Sequence, residues 1–245
     1  MAEQLKSAFG PQRVARIADE FAQAWPAFPK AAFLGQVLEG FDDVGLMDRC
    51  RRVADALAAT LPTGFPDAVQ VVLRTLGPPL EGGDGHGMEG FHYLPHSLFL
   101  SIRGLAHPDL ALEAMRHVTS RSSCEFAIRP FLEQHQGQTL RVLHAWTQDP
   151  DEHVRRLVSE GTRPRLPWAT RLTAFQQDPS PNLGLLEKLR DDPSPYVRRS
   201  VANHLNDIAK DHPDVAIATC RRWLQDASAD RRRLVHHALR SLARS

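Results

Sequence analysis

The chain has 245 residues, 42% of them hydrophobic and 24% charged, a composition that excludes both a disordered and a membrane-embedded protein. No apolar run approaches the roughly 20 residues of a bilayer span, and "MAEQLKSAFGPQRVARIADE" lacks the apolar core of a signal peptide, so a cytoplasmic protein is expected. The formal charge of +1 conceals an asymmetry: residues 1–120 hold 10 Lys+Arg against 14 Asp+Glu, residues 121–245 hold 20 against 15, and an anionic partner would meet the C-terminal half.

Almost every segment carries apolar residues at three- and four-residue spacing, closed by Pro or Gly, which predicts an all-α chain. In "PQRVARIADEFAQAW" the residues Val14, Ile17, Ala18 and Phe21 share one stripe, and "KAAFLGQVLEGF", "LMDRCRRVADALAATL" and "FPDAVQVVLRTLG" follow as further helices. Residues 77–90, "GPPLEGGDGHGMEG", predict a loop that lacks the GxxxxGK[ST] spacing of a phosphate cradle. Asp84, His86, His92 and His96 do not make a metal-ligand set: only His92 and His96 stand at i,i+4, and Pro95 interrupts them. Cys50, Cys124 and Cys220 are odd in number and scattered, which indicates packing residues and neither a disulfide framework nor a zinc site. No cofactor is expected.

From residue 98 onward helical pairs recur. "DPDEHVRRLVSEG", beginning at Asp149, returns 43 residues later in "DPSPYVRRSVANHLND", beginning at Asp192. "EFAIRPFLEQH", with Ile128-Arg129 in place of Val154-Arg155 and Val197-Arg198, and "DASADRRRLVHHAL" from Asp226 read as outlying copies. Paired helices in units of about 40 residues, with Asp-Pro entering the second helix, are the pattern of a HEAT-like repeat solenoid with a concave face open to a long ligand. Asp can cap the helix start and Pro tolerates the first turn, where its missing N–H is not needed. The expectation is a single repeat domain over 1–245, helical in 1–97 with clearer repeats in 98–245, and monomeric.

In the second copy Val197, Val201, Leu205 and Ile208 form the stripe that must be buried. Arg199, Asn203, Asn206 and Asp207 fall elsewhere and offer amides, a carboxylate and a guanidinium suited to bonding a ligand. Arg155, Arg156, Arg163, Arg165, Arg198 and Arg199 stand at repeat starts and in the linker "SEGTRPRLPWATRL". A ladder of such forks fits a row of phosphates; it also fits ion pairs that bridge neighbouring units, and the sequence leaves both open. Trp168 follows Pro167 at a predicted helix start, as core or exposed beside a bound strand, whereas Trp146 and Trp223 lie in apolar stripes and predict core.

The segments "FHYLPHSLFL", "SSCEFAIRPFL", "HAWTQDPDEHVRRLVSEGTRPRLPWA" and "DDPSPYVRRSVANHLNDIAKDHPD", in this order, resemble the AlkC-type DNA alkylation repair glycosylases, relatives of the AlkD type among the HEAT-like repeat glycosylases. The resemblance runs from "LKSAFGPQRVARIA" to about residue 224. Some members carry an immunoglobulin-like domain after the repeats; a chain ending at Ser245 is expected to be the shorter kind. The resemblance implies double-stranded DNA with alkylated bases as partner, and metal-independent hydrolysis of the N-glycosidic bond of a cationic base, chiefly 3-methyladenine. It further implies Asp207 and Glu125 as the carboxylates of the site and Trp168 as its aromatic wall; the arginine register and the polar face would then put Arg155, Arg156, Arg163, Arg165, Arg198, Arg199, Asn203 and Asn206 on the DNA. A non-enzymatic HEAT scaffold and a glycosylase for other cationic lesions remain the competing readings.

Overall fold

The computed structural model describes residues 9–80 and 89–242, so Asp84 and His86 lie outside the described residues. Two compact units follow each other along the chain, 1–134 and 135–245. Among the described residues the structure is all-helical. The first unit holds α1 (Pro11–Ala24), α2 (Lys30–Leu38), α3 (Leu46–Thr60), α4 (Phe65–Arg74), α5 (Leu94–Arg103), α6 (Pro108–Thr119) and the short α7 (Arg129–Gln134). The second holds α8 (Gln136–Trp146), α9 (Glu152–Gly161), α10 (Thr173–Gln177), α11 (Ser180–Leu189), α12 (Pro195–Asp211), α13 (Pro213–Leu224) and α14 (Ala229–Ala238).

In the first unit the stripe Val14, Ile17, Ala18 and Phe21 is buried as its spacing requires. The three cysteines are free and buried. His92 and His96 are interior residues: His92 Nε2 meets Glu20 Oε2 at 2.7 Å, and His96 Nε2 meets Thr75 Oγ1 at 3.0 Å. Pro95 opens α5 instead of interrupting it, sitting at the first turn where a missing N–H costs nothing. Ile128-Arg129 does not repeat the register of the later units: Arg129 is the first residue of the six-residue α7, whereas Val154-Arg155 and Val197-Arg198 lie in the first turn of their helices.

The second unit is two layers of helices, with α12 packed between α9 and α14 in one layer and α8 against α11 in the other. Val197, Val201, Leu205 and Ile208 are all buried, as are Trp146 and Trp223. The Asp-Pro pairs do not cap these helices as expected. Asp149 accepts from the N–H of Asp151 at 2.9 Å, and Asp192 from the N–H of Ser194 at 2.9 Å; each folds a tight turn two residues ahead of its helix. The cap positions belong to Asp151, which accepts from the N–H of His153 at 2.8 Å, and to Ser194. The displacement follows from Pro, which fixes a turn before the helix when its Asp partner has already claimed the i+2 N–H.

That turn sets the role of the arginine that follows it. Arg155 Nη1 donates to the carbonyls of Asp149 and Pro150 at 2.8 and 3.0 Å, while its Nε and Nη2 grip both oxygens of Asp192 in the next repeat. Arg198 repeats the arrangement on the carbonyls of Asp192 and Pro193, and reaches Asp230 of the following repeat at 2.9 Å. Arg232 donates to the Ala227 carbonyl in the same way, although Asp226 has drifted to a left-handed φ of 53°. The arginine register thus couples successive repeats.

Candidate active site

The chemistry-bearing cluster grows from α9, the loop after it, and α12. Leu157 to Pro164 form an unbroken buried run, and a carboxylate and a guanidinium, Glu160 and Arg163, lie inside it. Buried charges must be paired, and these are. Arg163 Nη1 donates to Glu160 Oε1 at 2.7 Å, and Arg163 Nε donates to Asp207 Oδ2 at 2.8 Å, so one guanidinium holds two carboxylates from two helices. Glu160 Oε1 lies 3.4 Å from Arg156 Nη2, and Glu160 Oε2 accepts from the Ser200 hydroxyl at 2.6 Å. Arg156 also lies over the ring of Tyr196, 5.1 Å from its centroid. The remaining oxygen of Asp207, Oδ1, accepts from Lys210 Nζ at 3.0 Å.

Burial alone would raise the Glu160 carboxyl, but Arg156, Arg163 and the Ser200 hydroxyl outweigh it and hold Glu160 below its ordinary value. Burial likewise works against the Arg163 charge, and Glu160 and Asp207 reverse it, raising Arg163 above its ordinary value. Beneath this pair His204 is fully buried, and that burial pushes it down to about 4, so it is neutral. Its contacts agree: Nδ1 donates to the Ser159 carbonyl at 2.9 Å, which leaves Nε2 to accept from Asn182 Nδ2 at 3.3 Å. Glu160 is therefore held ionised, beside a neutral His204.

The loop between α9 and α10 is fastened to α12 by two ion pairs one helical turn apart: Arg163 holds Asp207, and Arg165 Nε donates to Asp211 Oδ2 at 2.9 Å. The Arg165 hydrogen bonds hold Asp211 below the ordinary carboxyl value, against a small opposing effect of burial. Leu166 and Leu172 are buried on either side, and the Leu172 N–H closes the loop on the Pro164 carbonyl at 3.2 Å. Trp168 is at its tip, in a turn and not at a helix start, with φ 64° and 72% exposed.

Of the residues expected on the site, Asp207, Arg156, Arg163 and Arg165 are gathered here. Arg155 and Arg198 are engaged between repeats. Asn206 is buried and donates to the Ala238 carbonyl at 2.8 Å and to the Ser241 hydroxyl at 2.7 Å, and Asn203 Oδ1 accepts from Arg240 Nη2 at 3.0 Å. Both amides dock α12 on α14. Arg199 is exposed, with no ion pair among the described residues, and lines a cavity of about 200 Å³ between α12 and α14 with Arg233 and His237. Glu125 stands in the first unit, in the turn ahead of α7, where its Oε2 accepts from the Ser123 hydroxyl at 2.7 Å. Sequence reasoning missed Glu160 and Lys210. The available signal was the pair Glu160/Arg163 at i,i+3 inside a run of otherwise small and apolar residues.

Residues 116–241, just over half of the chain, match the DNA alkylation repair enzyme family. The alkylpurine DNA glycosylase AlkC of Pseudomonas fluorescens, solved bound to DNA containing an abasic site analog, is 37% identical and superposes with a TM-score of 0.88 over 97% of this chain and 64% of that one. The uncharacterized protein YhaZ of Bacillus subtilis (strain 168) is 38% identical over 220 residues, 89% of this chain and 59% of YhaZ. AlkD2 from Streptococcus mutans shares the fold at 21% identity, with a TM-score of 0.51 over 93% of this chain and 96% of AlkD2. The chain spans about six-tenths of the length of AlkC and YhaZ. By this match and by the helical repeats that carry it, the chain belongs to the DNA alkylation repair enzyme family.

Proposed function

We propose that the protein is an alkylpurine DNA glycosylase that releases cationic alkylated bases, chiefly 3-methyladenine, from double-stranded DNA by hydrolysis of the N-glycosidic bond. The observation that carries this reading is the pairing of two buried carboxyl groups, Glu160 and Asp207, on the single guanidinium of Arg163, within the segment that matches the family. An N3-alkylated purine leaves as a neutral base from a cationic precursor and needs no general acid. The protein has to stabilise positive charge that migrates to the sugar, and to hold a water for attack. Fixed carboxylates do both without reorganising, since their donors already orient them.

In this reading Asp207 faces the sugar, Glu125 is the second carboxylate of the reaction, and Trp168 offers its face to the cationic base or sugar. Arg163, itself anchored on Glu160, keeps Asp207 in place. Selection of the lesion follows from charge, because a neutral base gains little from the same groups and keeps a stronger glycosidic bond. Arg156 and Arg199 are the arginines proposed to meet phosphates. No metal or cofactor enters the scheme.

The test is base release from methylated duplex DNA by the purified protein without added metal. Wild type is expected to release 3-methyladenine, and Asp207→Asn to lose at least a hundred-fold in rate, roughly the loss seen when one transition-state contact is removed, while still binding undamaged duplex. Release of no base by the wild type, with salt-sensitive DNA binding retained, would leave a DNA-binding repeat module and overturn the proposal.

A further inference from the structure

Seven charged groups make up the cluster, four cations and three anions, and Arg165 and Asp211 balance each other. Arg163 and Arg156 are 9% and 16% exposed and fixed by bonds to Glu160, whereas Lys210 is 46% exposed and touches the cluster through Asp207 alone. Arg156 and Arg163 by themselves balance Glu160 and Asp207. Lys210 is thus the surplus charge and the one cation free to leave without baring a buried carboxylate, because Arg163 keeps its hold on Oδ2. The position Lys210 takes on Oδ1 is that of a compact positive group about one hydrogen bond from a carboxylate.

An i,i+3 pair near a helix C-terminus is by itself an ordinary surface feature, stabilised by the helix dipole. What sets this one apart is its partner: the side chain of Asp207 is only 2% exposed, and Lys210 occupies the one oxygen that Arg163 does not. Lys210, 46% exposed, is thus the solvent-facing partner of Asp207.

Resting on the glycosylase reading above, we infer that Lys210 is an internal stand-in for the cationic ligand, occupying its seat on Asp207 Oδ1 in the DNA-free protein and yielding it when a positively charged nucleotide arrives. The exchange is cation for cation, so the net charge of the cluster is unchanged. A neutral nucleotide brings nothing to replace the ammonium and leaves it in place. Lys210 accordingly acts on specificity: it sets the threshold that a ligand's charge must exceed, and it is a positioning residue with no part in bond breaking.

The measurement is the affinity of the full chain for two duplexes that differ in one abasic-site analogue, a protonated pyrrolidine and a neutral tetrahydrofuran. Lys210→Gln is expected to tighten the pyrrolidine duplex by about two- to five-fold, the range released when a half-exposed ion pair no longer has to be broken, with the tetrahydrofuran duplex unchanged. Lys210→Arg retains the cation and is expected to keep the wild-type ratio of the two affinities. An unchanged ratio in Lys210→Gln overturns the inference, and if both affinities fall together Lys210 is a phosphate contact instead. Failure of the wild type to release base or to bind either duplex would overturn the glycosylase reading itself, and the inference with it.

Discussion

Trp168 holds a left-handed backbone at φ 64° and is 72% exposed, and neither feature benefits the folded chain. A bulky residue in that region costs about 1–2 kcal/mol, and an exposed indole forgoes the burial that usually accounts for a tryptophan. Arg163 and Arg165 on one side and buried Leu172 on the other dictate the conformation, since the tip must turn within a few residues. Such strain is kept where the side chain's position matters. Trp168→Gly is expected to relieve the backbone while loosening the unfolded chain, so that stability changes by between 0 and about +1 kcal/mol. The same variant should lose base release, and Trp168→Ala should lose it without the stability gain; a melting scan beside the release assay separates the two effects. If Trp168→Gly melts well below wild type, the ring is packed and not presented. The prominence of Trp168 was legible in "LPWA", but its exposure was not, because Pro167 signals a helix start as readily as a turn.

At the level of the helices, adjacent arginines have different work. Both Arg198 and Arg199 line the cavity beside Arg233, but Arg198 is half-buried and bonded to two carbonyls and an aspartate, while Arg199, one position on, is exposed with no ion pair among the described residues. Arg155→Ala would leave Asp192, nearly buried, without its fork and is expected to destabilise the second unit by about 3 kcal/mol. Arg199→Ala should leave the melting temperature unchanged and lower the slope of log affinity for duplex DNA against log salt by about 0.9, one phosphate contact. The reverse pattern, a salt slope that follows Arg155 and a melting temperature that follows Arg199, would exchange their roles. The repeat, the buried stripe Val197/Val201/Leu205/Ile208 and the arginine register were readable from period alone. The partners of those arginines were not, because a guanidinium ladder has the same spacing whether it meets phosphates or the aspartates of the next repeat. Asn203 and Asn206 illustrate the same limit: their polarity marked a face, but only the packing of α14 reveals that the face is an internal joint.

For the molecule as a whole, pH is the variable that each unit registers through a buried histidine. His96 in the first unit is pushed down to about 3, chiefly by burial and then by His92, and His204 in the second to about 4, both against an ordinary value of 6.5. Below pH 6.5 the unfolded chain takes up a proton at each site that the folded chain refuses, so stability falls with pH through that range. The loss continues to about pH 4 for His204 and about pH 3 for His96. Glu160 adds to it at the acid end: its carboxyl is held below 4.5, so its contribution is complete above that value and lost as pH falls past it. Each histidine can contribute a slope of up to about 1.4 kcal/mol per pH unit, and the half-way range near pH 5 is where both act while Glu160 is still ionised. Urea midpoints measured from pH 7 to 4 should therefore decline, and His204→Asn, less stable at pH 7 for want of the Asn182 contact, should show a shallower decline. Amide exchange can assign it, since the pH dependence of protection in α12 would then weaken while that in α5 is kept. An undiminished slope in α12 would mean that His204 is protonated in the folded state, and the site of Asp207 would rest on a charged floor.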